Sequence, residues 1–231
     1  MLFGFFYYDW TILIVLPALI FTLWAQVKVN SSFNKYSQVM TSRRITGADA
    51  ARRILDANGL RDVRIERIRG SMTDHYDPRA NVIRLSDTVH DVASVAALGV
   101  AAHEAGHAIQ HAKGYAPIKL RTAIIPVTRI GSMLSMPLFI IGLFLASDAL
   151  LLVGIALYSA VTIFQLVTLP VEFNASSRAL KTLEGQGILF GDELVGARRV
   201  LSAAAMTYVA ALATSLLTLL RLFVLANGRR R

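Results

Sequence analysis

The chain has 231 residues, 55% of them hydrophobic and only 17% charged, which excludes a disordered or solvated linker protein. It contains no cysteine, so disulfides, thiolate ligands and a thiol nucleophile are excluded, and any metal must be held by His, Asp or Glu. The formal net charge is +9, but no nucleic-acid motif accompanies it and topology explains it, so no nucleic-acid partner is expected.

Segment 11–27 (TILIVLPALIFTLWAQV) carries no charge and is long enough to span a hydrocarbon core. No Lys or Arg precedes it, only Asp9, and Phe5, Phe6, Tyr7, Tyr8 and Trp10 read as an interfacial aromatic belt. From Lys28 to Arg129 there are sixteen Lys+Arg against nine Asp+Glu. The positive-inside rule therefore places residue 28 onward in the cytoplasm. The start lacks the basic region and small-residue cleavage site of a signal peptide, so residues 1–27 are expected to remain as an anchor.

Residues 28–129 read as a small mixed α+β domain. Thr46 opens a capped helix, TGADAARRILDANGL, with Gly59 as its stop. Residues 62–68 (DVRIERI) alternate as a strand, a polar turn runs from Gly70 to Pro78, and a second short strand follows at 81–85. Ser86 or Asp87 is then placed to cap a helix running through His111. Residues 130–147 and 149–169 are two apolar runs separated by Ser147-Asp148, a helical hairpin that returns the chain to its starting face near Pro170. Residues 170–199 form a further helix and cytoplasmic loop. Residues 200–231 hold a last apolar run, 200–220, with Arg221 at its edge and Arg229-Arg230-Arg231 behind. It reads as a fourth span, which would put those arginines outside against the charge rule, or else as a tilted, re-entrant or internally packed helix. The expectation is a mainly α, multi-pass membrane protein with three to four transmembrane helices and one small cytoplasmic domain.

His103-Glu104-Ala105-Gly106-His107 is an HExxH sequence. With five His and five Glu in the chain, its chance occurrence is roughly one in four hundred. Spacing i, i+4 puts both imidazoles on one helical face, where they can hold one Zn²⁺, with Glu104 beside them to take a proton from water. The surrounding helix is rich in small apolar residues, where titratable groups are costly unless paired or metallated. A catalytic zinc needs a third protein ligand. His111 shares the face, but eight residues separate it from His103 by about 12 Å along the axis, too far for one ion. It is expected beside the site or at the surface. The glutamates downstream are Glu172, Glu184 and Glu193. Glu172 lies just beyond the hairpin, and Ala175 and Ser176 would let its helix approach the HExxH helix closely. Glu184 and Glu193 adjoin Gly-containing turns.

The ordered set TGADAARRILDANGL, DHYDPRANVIRLSD, AAHEAGHAIQHA and LPVEFNASSRAL resembles the bacterial membrane neutral zinc metallopeptidases, the YugP-like family, over nearly the whole chain. That family is similar in plan to the CaaX prenyl protease and HtpX group. The resemblance implies a zincin-like peptidase domain facing the cytoplasm of a bacterial cell membrane, a polypeptide substrate associated with the membrane, and Glu172 as third ligand of one zinc. In the wider group an Asp stands four residues past the ligand Glu. Here that position is Ser176, with Asn174 as a candidate substitute. His75, in DHYDP, is expected near a substrate edge formed with strand 81–85, and Arg178 and Tyr208 are candidate oxyanion donors. The function these readings converge on is zinc-dependent endopeptidase, with Glu104 as general base. The competing reading is a non-catalytic membrane scaffold or chaperone-like factor with a structural zinc, for which Glu104 would have no use.

Overall fold

The structure, a computed structural model, describes residues 10–228. The belt residues Phe5, Phe6, Tyr7 and Tyr8, with Asp9, and the Arg229–Arg231 tail lie outside the described residues. In chain order the elements are α1 (Ile12–Ser37), α2 (Gly47–Ala57), β1 (Arg64–Ile68), β2 (His75–Asp77), β3 (Val82–Ser86), α3 (Val95–Ala112), α4 (Ala116–Phe144), α5 (Asp148–Gly185) and α6 (Gly191–Gly228). They form two compact units. One takes in the segment up to Ala25, Leu120–Leu169, and the chain from Thr207; the other takes in Gln26–Lys119 and Pro170–Met206.

The first unit is helical. Among the described residues four helices, α1, α4, α5 and α6, are long and apolar enough to cross a membrane, which bears out the expected mainly α membrane fold. The hairpin between α4 and α5 turns at Ala146, whose φ is +57°, and the Ser147 N–H closes it onto the Gly142 carbonyl at 3.0 Å. Small residues bring its arms together: a Cβ on Gly154 would stand 2.9 Å from the Phe139 backbone nitrogen and the Ser135 carbonyl. Buried hydroxyls pair across the helices, Thr162 with Ser215 at 2.7 Å, as an apolar solvent requires. Arg221, at the edge of the run 200–220, lies within α6, which continues to Gly228, and its Nε donates to Thr11 Oγ1 at 3.1 Å.

The second unit is the small α+β part. Thr46 caps α2 through a capping box with Asp49, and Gly59 ends it with φ +75°. The sheet has the order β1-β3-β2, with β1 parallel and β2 antiparallel to β3. Ile54, Leu55, Ile83, Leu85, Leu98 and Leu183 are buried together in its core. Two expectations need correction. First, the run at 81–85 is not an edge open to substrate. β3 is the central strand, paired on both sides, with Val82, Ile83, Leu85 and Ser86 all fully buried. The polar segment before it, read as a turn, contains the edge strand β2, matched His75 to Arg84 and Asp77 to Val82. Second, the HExxH helix is capped neither by Ser86 nor by Asp87. Ser86 ends β3 and bonds Asp74, while Asp87 accepts from the Gly70 N–H at 3.0 Å and from Arg67 at 2.7 Å. Eight residues later Ser94 caps α3, its Oγ accepting from the Ala97 N–H at 3.2 Å.

Candidate metal centre

The geometry of the site begins with what α3 lacks. It carries glycine at 99 and 106, and a Cβ on Gly106 would stand 2.8 Å from the Ala175 carbonyl of α5. Ala175 is itself fully buried. At this contact the missing side chain of Gly106 lets the α3 surface rest against the Ala175 backbone. Residue 172, nearly one turn earlier on α5, then reaches the face that carries His103 and His107.

On that face His103 Nε2, His107 Nε2 and Glu172 Oε2 converge. The two Nε2 atoms are 3.1 Å apart, and Glu172 Oε2 lies 3.2 Å from the first and 3.5 Å from the second. These three residues form a group that could hold a metal ion. Ligands of a tetrahedral zinc with bonds of about 2.0–2.1 Å stand about 3.3 Å from one another, so the separations and the donor chemistry both fit zinc. Glu172 is 2% exposed and Glu104 8%. Burial works against the His107 imidazolium, but the Glu172 carboxylate and the Glu104 charge outweigh it and raise this histidine above its ordinary value. Two buried carboxylates beside two imidazoles make a pocket that favours positive charge.

Each ring is held from behind by a neutral group. Ser176 Oγ lies 3.1 Å from His103 Nδ1 and Gln110 Oε1 lies 3.0 Å from His107 Nδ1. Ser176 thus occupies the contact that the resemblance assigned to an Asp, with a hydroxyl in place of a carboxylate. Asn174 and Arg178 are bonded to each other, Nε to Oδ1 at 2.7 Å, and Asn174 also accepts from Gln110. His111 is outside the metal-binding group and packs its ring 5.6 Å from that of Tyr76 on β2. His75 bonds the Thr73 carbonyl through Nδ1 at 2.9 Å, in the sheet's own polar network with Arg84. Tyr208 belongs to the helical unit, not to the unit that holds the other site residues. Glu184 is exposed at the end of α5, and Glu193 accepts from the Ser42 N–H at 2.8 Å. Neither joins the histidines. The residue sequence reasoning missed is Gln110. Its signal was present: a polar side chain three residues past His107, on the same face of an otherwise small and apolar helix.

The fold and this donor set define a helical membrane protein with a candidate zinc site of two histidines and one glutamate. Residues 11–227 match the family described as "Putative neutral zinc metallopeptidase", and the chain belongs to that family. It is similar to the "Putative membrane protease YugP" of Bacillus subtilis (strain 168), at 50% identity over 219 residues that cover 94% of this chain and 97% of that one. No solved structure matches it.

Proposed function

We propose that the chain is a membrane-integrated zinc endopeptidase, with one Zn²⁺ held by His103, His107 and Glu172 and with Glu104 as general base. The observation that carries this reading is the convergence of three ligand atoms at 3.1–3.5 Å. Three protein donors leave a fourth position for water or substrate, as catalytic rather than structural zinc sites do. When bound, zinc supplies Lewis acidity, lowering the pKa of a water and polarising the scissile carbonyl. Glu104, next in sequence to His103 and largely buried, accepts the water's proton and delivers it to the leaving amine. Ser176 and Gln110 keep the two rings facing the site. With β3 closed on both sides, the extended substrate pairs instead with the free edge of β2, whose Tyr76 lies beside His111 on α3. The site faces the cytoplasm, and the substrate is a polypeptide in or close to the bilayer.

The test uses the full chain purified in detergent, assayed for zinc by elemental analysis and for cleavage of an unstructured polypeptide. Glu104→Gln removes a base and no ligand. It should retain about one zinc per chain while cleavage falls by about 10²–10⁴-fold. Cleavage at the wild-type rate by that variant would overturn the mechanism and favour a structural metal.

A further inference from the structure

We propose that Gln110 is a positioning residue that fixes His107 in its Nδ1–H tautomer, and that its orientation is enforced by Val171, Asn174 and Arg178. The inference rests on the zinc reading above; it sharpens the role of Gln110 there and assigns a task to Asn174 and Arg178, which the mechanism otherwise leaves idle. Gln110 is a fully buried amide in a helix of small apolar residues. Its Nε2 donates to the Val171 carbonyl at 2.8 Å and to Asn174 Oδ1 at 3.0 Å. The same Asn174 Oδ1 accepts from Arg178 Nε at 2.7 Å.

Both ends of this chain are groups with no choice of role. A backbone carbonyl can only accept and a guanidinium can only donate. The Val171 carbonyl therefore turns the Gln110 NH₂ toward itself, and Arg178 turns the Asn174 oxygen toward the same NH₂. Only the Gln110 oxygen is left for His107, 3.0 Å from Nδ1. An amide oxygen cannot donate, so in the neutral ring Nδ1 must carry the proton, which leaves Nε2 its lone pair for a metal. The other histidine has no such constraint. Its Nδ1 meets the Ser176 hydroxyl, which can donate or accept. His107 is thus the ligand fixed before metal arrives, and His103 the one that adapts. Arg178, with its guanidinium also over the Tyr115 ring at 5.9 Å, serves as the outer anchor of this relay.

The experiment measures zinc affinity of the full chain in detergent by competition with a chromophoric chelator, with the visible spectrum of the Co²⁺-loaded protein as a second readout. Gln110→Met should weaken zinc by about 10–100-fold and alter the Co²⁺ spectrum. Asn174→Leu should weaken it in the same direction, whereas Asn174→Asp, which still accepts from both Gln110 and Arg178, should stay within about threefold of wild type. The Asn174 pair keeps the test decisive if Gln110→Met does not fold. Wild-type affinity in Gln110→Met or Asn174→Leu, with an unchanged spectrum, overturns the relay and leaves the zinc reading standing. A wild-type chain that binds no zinc overturns both.

Discussion

Three glutamates follow the hairpin in the sequence, and the structure gives them three different occupations. Glu172 is buried 3.2 Å from His103 Nε2, Glu193 accepts a backbone N–H from Ser42, and Glu184 is exposed. Removing a metal ligand costs more than removing a group behind one, which is already worth about 10–100-fold in affinity. Glu172→Ala should therefore lose zinc affinity by more than about 100-fold, and Glu184→Ala and Glu193→Ala should keep it. Equal zinc content in the three purified variants would show that the third ligand lies elsewhere. The two histidines of the candidate site were legible from spacing alone, because i, i+4 on a helix is a local relation. Glu172 needed topology and family resemblance, since its local signal, the small residues Ala175 and Ser176, speaks for close helix packing and not for a metal ligand. Gln110 was not read at all: its place on the His107 face was visible, but its partners Val171 and Asn174, which give it a task, are more than sixty residues away in sequence.

At the scale of elements, α3 and α5 are registered by the absence of a side chain. Ala is normally the better helix former by about 1 kcal/mol, but a methyl at 106 would press on the Ala175 carbonyl at 2.8 Å. The sign reverses. Gly106→Ala should destabilise the protein by about 1–3 kcal/mol and, by separating α5 from α3, weaken zinc binding as well. Thermal unfolding with and without zinc measures both. A variant of unchanged stability and affinity would mean that the helices are not registered at this contact.

The sheet shows what a strand reading can miss: the strands read at 62–68 and 81–85 are present as β1 and β3, but β2 and the central place of β3 are not legible in the sequence. A three-residue strand such as β2 is too short to display alternation, and the run at β3 shows a strand but not that it is paired on both sides, because β2 was hidden in the polar segment before it. The helix cap moved from 86–87 to Ser94 because Asp87 had other work, tying the β1–β2 connection. The Gly70 N–H and Arg67 hold its carboxyl below the ordinary aspartate value. A lowered carboxyl stabilises the fold fully above its unfolded-chain value and loses that contribution as pH falls through the folded one. Asp74 has the opposite sign: burial raises it despite its bonds from Ser86, so its contribution is lost as pH rises. Asp87→Asn should therefore lower the apparent melting temperature near neutral pH, with the difference from wild type closing below about pH 4. A constant difference across that range would remove Asp87's charge from the account.

For the whole molecule, the question is on which side of the membrane the metal site lies. His107 and Glu172 must share one side, and the two apolar arms between them, 120–144 on α4 and 148–169 on α5, supply an even number of crossings. Chain order thus satisfies the requirement without fixing the side. The side follows from charge. None of the 24 Lys and Arg residues precedes the first span, and sixteen lie between Lys28 and Arg129, so the positive-inside rule predicts a cytoplasmic position for that stretch, which labelling can test. The chain has no cysteine, which makes single-cysteine labelling clean. Arg61 and Lys113 are exposed in the unit that carries the site, and Asp148 is exposed at the hairpin turn. With a membrane-impermeant thiol reagent on intact cells, Asp148→Cys should react, while Arg61→Cys and Lys113→Cys should react only after permeabilisation. The reverse pattern would invert the topology and place the site, with any polypeptide it cuts, on the outer face.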